Sequence, residues 1–148
     1  LAEIVCAASK AAAAVAIMLA VLMAIGYADF PGALMCIPLA FVGGLAFACI
    51  GMFFTGLIPT IDMFNLPIFL FITPMFLFSG TFFPISGIPD WAGFFSLVFP
   101  LYHLVELTRF FCIGAMESNP AFNLVYLSLF ILLFGYLALL FMKRRLIQ

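Results

Sequence analysis

Charge is what this 148-residue sequence has least of: five Lys and Arg against six Asp and Glu, 7% of the chain, for a formal net charge of −1. There is no basic stripe with interleaved aromatics, so nucleic acid is excluded as a partner. Histidine occurs once, at His103, so this chain alone supplies neither a histidine-based triad nor a two-histidine metal site. The run from His103 to Glu106, HLVE, lacks the HExxH spacing that would put two imidazoles on one zinc, and no GxxxxGK[ST] phosphate loop is present. Ser79, Ser86 and Ser96 have no neighbouring base. The four cysteines, Cys6, Cys36, Cys49 and Cys112, are far apart without a CxxC, and read as small buried hydrophobes rather than ligands. These absences leave no catalytic group, no metal ligand set and no cofactor site, and the chain reads as a non-enzyme.

What is present is apolar. Hydrophobic residues make up 68% of the chain, 21 of them Phe, and the mean hydropathy is +1.39. A soluble domain of this size has too little interior to hide such a surface, so the bilayer is the solvent. The chain opens on Leu1 rather than Met, and its first apolar run has no basic leader, which reads as the later part of a longer protein.

The pattern predicts an all-α polytopic membrane protein with four transmembrane helices over about residues 5–27, 34–58, 64–83 and 122–142. Ala8, Ala12, Ala16, Ala20 and Ala24 suggest a smooth packing ridge on the first span, and Ala40, Gly44, Ala48 and Gly51 a seam on the second. Tyr27, Asp29, Pro31 and Gly32 read as the intervening turn, and Asp62 as a cap for the third span. Pro67 and Pro74 are expected to kink or unwind that third span. Phe69, Phe76 and Phe83 repeat along it, either as lipid-facing bulk or as an aromatic wall beside a path. Lys143, Arg144 and Arg145 close the last span and favour the cytoplasm, which with four spans puts both ends of the chain inside.

Between the third and fourth spans lies a stretch too apolar for a soluble loop and too interrupted for a clean span. Pro84, Pro89 and Pro100 punctuate it, and Asp90, Glu106 and Arg109 carry charge. We read residues 85–114 as an extracytoplasmic re-entrant helical hairpin with limbs over about 89–99 and 101–113, each too short to cross a core of about 30 Å at about 1.5 Å per residue. Glu106 and Arg109, three apart, face each other on a helix, either as a clamp pinning the hairpin or as charges lining the outer mouth of a path. Trp91 and Tyr102 read as headgroup-level aromatics or as stacking surfaces for a sugar, and His103 as a hydrogen-bonded interfacial residue. No acid falls mid-span in the four helices, which argues against a proton- or sodium-coupled carrier.

The stretch PMFLFSGTFFPISGIPDWAGFFSLVFPLYHLVELTRFFCIGA resembles the signature region of ABC-2 type transporter permeases, nearest the nodulation-type lipo-oligosaccharide exporters. The elements that carry the resemblance are Phe78–Pro84, Ile85–Pro89, Pro100–His103 and Glu106–Arg109. The opening LAEIV is similar to the family's cytoplasmic Gly-Glu element, with Glu3 at the glutamate and Ala2 where glycine is usual. The resemblance covers essentially the whole chain, as the C-terminal part of a six-span permease. It implies a bacterial inner-membrane half-transporter that pairs with a second permease copy and docks separate ATP-binding cassette subunits. ATP and Mg would then bind on that partner, and an amphipathic substrate would pass among membrane lipids. It further implies that Glu3 couples to the ATPase side and that Phe76, Phe83, Tyr102, Glu106 and Arg109 border the exit. The rivals are a permease of the same class for a drug or other hydrophobic compound, an ion-coupled carrier, and a non-transporting membrane scaffold.

Overall fold

The computed structural model describes residues 2–26, 32–58, 60–81, 93–94, 96–113 and 119–146, and among these there is helix and turn but no strand. Two long helices open the chain, α1 (Ala2–Ile25) and α2 (Gly32–Leu57). A composite helix follows, α3, built from a 3-10 turn (Ile61–Phe64), a short α segment (Asn65–Pro67), a π turn (Ile68–Ile72) and a final α segment (Thr73–Phe78). Then come α4 (Pro100–Ile113) and α5 (Pro120–Leu146). Three helices are long and apolar enough to cross a membrane, Ala2–Ile25, Leu34–Leu57 and Pro120–Lys143, while Asp62–Phe78 is apolar but shorter. The expected third span therefore ends five residues early, at Phe78, where Ser79 and Gly80 turn the chain and Gly80 takes a left-handed φ of 76°.

The proline pair breaks α3 by a change of register. Pro74 has no N–H, so the Leu70 carbonyl lacks its α-helical donor. The turn widens instead, and the Ile68 carbonyl accepts both the Thr73 N–H and, at 3.1 Å, the Thr73 hydroxyl. Asp62 is not the cap of this helix. Thr60 holds the extended cap position without a side-chain bond, and Asp62 lies inside the first turn. The last span starts earlier than its apolar run suggests, because Asn119 caps it: its side-chain oxygen accepts the Ala121 N–H at 3.2 Å, with Pro120 in the first helical position.

α2 stands at the centre, packed against α1, α4 and α5. Burying apolar surface against apolar surface gains little in lipid, so close van der Waals approach must hold the helices together, and small residues permit it. A Cβ on Gly44 would come 2.8 Å from the Ala8 Cα of α1, and one on Gly32 would collide with the Phe111 carbonyl of α4. Gly32 is thus the first residue of α2 and a contact point rather than part of a free turn. Gly51 faces open space and does not belong to the seam.

The alanine ridge of α1 is also only partly a seam: Ile4, Ala8 and Leu19 are buried, Ala11 and Val15 half-buried, and Ala20 and Ala24 exposed. With 3.6 residues per turn, every fourth residue drifts about 40° round the helix, so Ala24 is nearly opposite Ala8. Further in, Leu39, Leu107 and Leu127 join α2, α4 and α5, and Ala46, Ile50 and Phe130 form a second cluster with Phe54 and Phe71 against them. Phe71 is the inward aromatic of α3, its ring centroid 5.9 Å from both Phe54 and Phe99.

Phe83, Pro84, Pro89, Asp90 and Trp91 lie outside the described residues, as does most of the first hairpin limb. So do Tyr27, Asp29, Pro31 and Glu117. The stretch read as the second limb, about 101–113, is helical and forms α4.

Candidate functional site

α4 opens on a turn in which the Phe99 N–H bonds the Ser96 carbonyl (3.1 Å) and the Tyr102 N–H the Phe99 carbonyl (3.2 Å), with Pro100 as first helical residue. From there α4 runs antiparallel to the first half of α2: Leu104 packs on Gly43, Leu107 clusters with Leu39, and Phe111 meets Gly32. The polar groups of α4 are carried along that path. His103 is 0% exposed and Glu106 2%, beside a stretch of α2 that starts about 8 Å inside the Leu34 end of its apolar run at about 1.5 Å per residue.

A buried imidazole needs partners at both nitrogens, and His103 has them. Nε2 lies 2.9 Å from the Leu97 carbonyl and Nδ1 2.7 Å from the Asn123 side-chain Oδ1. A carbonyl only accepts, so Nε2–H donates to Leu97. Nδ1 faces the Asn123 Oδ1, likewise an acceptor, so each ring N–H has a carbonyl oxygen to receive it. The Tyr126 ring covers the imidazole at a centroid distance of 4.0 Å, and its hydroxyl donates to the Val98 carbonyl. Asn123 and Tyr126, three apart on α5, thus hold His103 and the Val98 carbonyl, while His103 itself holds the Leu97 carbonyl. Among the described residues no buried side-chain N or O atom is left without a hydrogen-bond partner, as a bilayer interior requires.

Nearly two turns beyond His103, the Arg109 guanidinium donates to the Gly80 carbonyl at the end of α3. Its Nη1 lies 3.9 Å from the Glu106 carboxylate, an electrostatic neighbour beyond hydrogen-bond distance. The expected pairing of Glu106 with Arg109 is present, but the directed bond of Arg109 goes across to α3. α4 is therefore tied on one side to α5 through His103 and on the other to α3 through Arg109.

The remaining candidates are dispersed. Tyr102 is 6% exposed and packs edge-on against His103, so within the described chain it faces packed protein. Phe76 is 45% exposed on α3. Glu3 is exposed at the opposite end of the bundle, where it borders a small cleft with Ala48, Thr55 and Met142, one residue before Lys143. Between α1, α2 and α4 lies an apolar cavity of about 660 Å³, walled by Ala11, Val15, Gly43, Phe47 and Leu104 among others. Among the described residues no group of His, Cys, Asp and Glu is arranged to hold a metal ion.

Sequence reasoning missed Asn123, Tyr126 and Gly80. The available signal was Asn123 itself, a polar residue near the start of an apolar span, which needs a partner inside the bundle.

Comparison with known proteins agrees with this architecture. The profile of the ABC-2 type transporter family matches residues 1–113. Over all 148 residues the chain is 35% identical to nodulation protein J of Sinorhizobium fredii, 33% to that of Bradyrhizobium diazoefficiens and 32% to that of Rhizobium leguminosarum bv. trifolii. Each alignment takes in 100% of this chain and 56% of the relative, so the chain spans little more than half the length of the curated relatives it matches. No solved structure matches it.

Proposed function

The chain belongs to the ABC-2 type transporter family, and from that premise we propose that it is part of the transmembrane permease of an ATP-driven exporter whose cargo is an amphipathic lipo-oligosaccharide, glycolipid or polysaccharide. The observation that carries the reading is the family match over residues 1–113, which takes in α1 to α4 and the buried polar groups of α4. The resemblance to nodulation-type exporters supplies the cargo class.

In this reading the chain hydrolyses nothing. ATP and Mg bind a separate ATP-binding cassette subunit, a second permease copy completes the pathway, and the assembly sits in the bacterial inner membrane. Both ends of the chain face the cytoplasm, which the shared position of Glu3 and Met142 beside one cleft supports. Glu3 then lies on the side from which an ATPase would dock. α4 is the inner limb of a re-entrant hairpin, a role supported by its antiparallel course along the first half of α2. Phe76, Phe83, Trp91, Tyr102, Glu106 and Arg109 border the exit, with His103 and Arg109 setting the position of α4.

The test is a pull-down of the full-length permease from mild detergent followed by an ATPase assay. Co-purification of an ATP-binding subunit with vanadate-sensitive hydrolysis is the expected result. A clean permease with no such subunit, reproduced in lipid, would remove the ATP-driven reading.

A further inference from the structure

Cys36 near the start of α2 and Cys112 at the end of α4 are 76 residues apart in the chain, yet their sulfurs lie 3.3 Å from each other as free thiols. The approach is built into the backbone. Gly32, one turn before Cys36, leaves no room for a Cβ against the carbonyl of Phe111, the residue before Cys112. Leu19, Val15 and Ile37 close round the pair. Cys36 is 3% exposed, Cys112 is half-buried, and both border the apolar cavity between α1, α2 and α4. Among the described residues Cys6 and Cys49 have no such neighbour: Cys6 is exposed on α1, and Cys49 is buried beside Gly135 of α5.

We propose that Cys36 and Cys112 form a redox modification site, a thiol pair that exchanges with a small apolar disulfide and so staples α2 to α4. Cys112, the more accessible thiol, loses its proton and attacks one sulfur of the donor R–S–S–R. The donor bond breaks, a Cys112–S–S–R bond forms, and RS⁻ leaves and takes up that proton as RSH. Cys36 then attacks the Cys112 sulfur, the Cys36–Cys112 bond forms, and the second RSH leaves with the Cys36 proton. The two cysteines are oxidised and the donor is reduced to two thiols, so the step balances without a further oxidant. The cavity admits an apolar donor where a charged one would be excluded.

The test treats membranes containing the full-length protein with dipyridyl disulfide, caps remaining thiols with N-ethylmaleimide, and digests without reduction for mass spectrometry. The expected product is the Cys36 peptide joined to the Cys112 peptide and released by reductant. Cys36→Ser should leave Cys112 as its mixed disulfide with thiopyridine, whereas Cys112→Ser should leave Cys36 largely unmodified over the same time. Recovery of Cys36 and Cys112 as maleimide adducts or as two separate mixed disulfides in the wild-type protein would overturn the proposal, as would linkage of either to Cys6 or Cys49. The wild-type linkage decides the matter even if a serine variant fails to fold.

Discussion

His103 stays buried only because each of its nitrogens has a partner, and that dependence can be measured. Asn123→Leu removes one partner and leaves a desolvated ring nitrogen, at a cost of about 1–3 kcal/mol. His103→Phe with Asn123→Leu removes both ends of that bond while taking the donor from the Leu97 carbonyl, and we expect the double variant to lose less than the sum of the two single losses. Unfolding of the purified protein in mixed detergent micelles checks this, and additive losses would mean that the two side chains do not act together. For Arg109 the directed bond is to Gly80. Arg109→Ala should therefore lower stability by about 1.5 kcal/mol, at the low end for a charged donor because the side chain is 36% exposed. Unchanged unfolding with lost export would instead assign Arg109 to the path. Glu106 and Arg109 were legible as a pair from their spacing. The Gly80 carbonyl and Asn123 were not, because these partners come from other elements and no local pattern encodes them.

Among the elements, α2 is the one the others pack on, although the most conspicuous stretch of sequence lies elsewhere, between Thr73 and Gly114. Small residues every fourth position identified α2 as a packing helix, but spacing does not say which of them meet a neighbour. Gly44 and Gly51 separate on this point. Gly44→Ala drives a methyl group to 2.8 Å from the Ala8 backbone and should cost about 1–3 kcal/mol by pushing α1 away. Gly51→Ala meets nothing and should be neutral, or stabilising by about 0.5 kcal/mol through helix propensity. Equal effects in the same unfolding assay would contradict the packing of α1 on α2. The prolines of α3 were likewise readable as a break, but the form it takes, a π turn that aims Phe71 at Phe54 and Phe99, depends on contacts across the bundle.

For the whole molecule, the long apolar runs made three spans and the all-helical class legible, because length and hydropathy alone decide them. Depth was harder. The absence of acids mid-span in the four expected helices argued against an ion-coupled carrier, with Glu106 placed in the re-entrant hairpin. α4 packs Glu106, 2% exposed, beside α2, so position does not separate the two mechanisms and the energy source has to be measured. The most direct measurement reconstitutes the full-length permease with its ATP-binding subunit in proteoliposomes and follows translocation of a labelled lipo-oligosaccharide. Transport that requires ATP, stops with vanadate and ignores a proton ionophore is the predicted result. Transport that runs without ATP and collapses with the proton gradient would contradict the account.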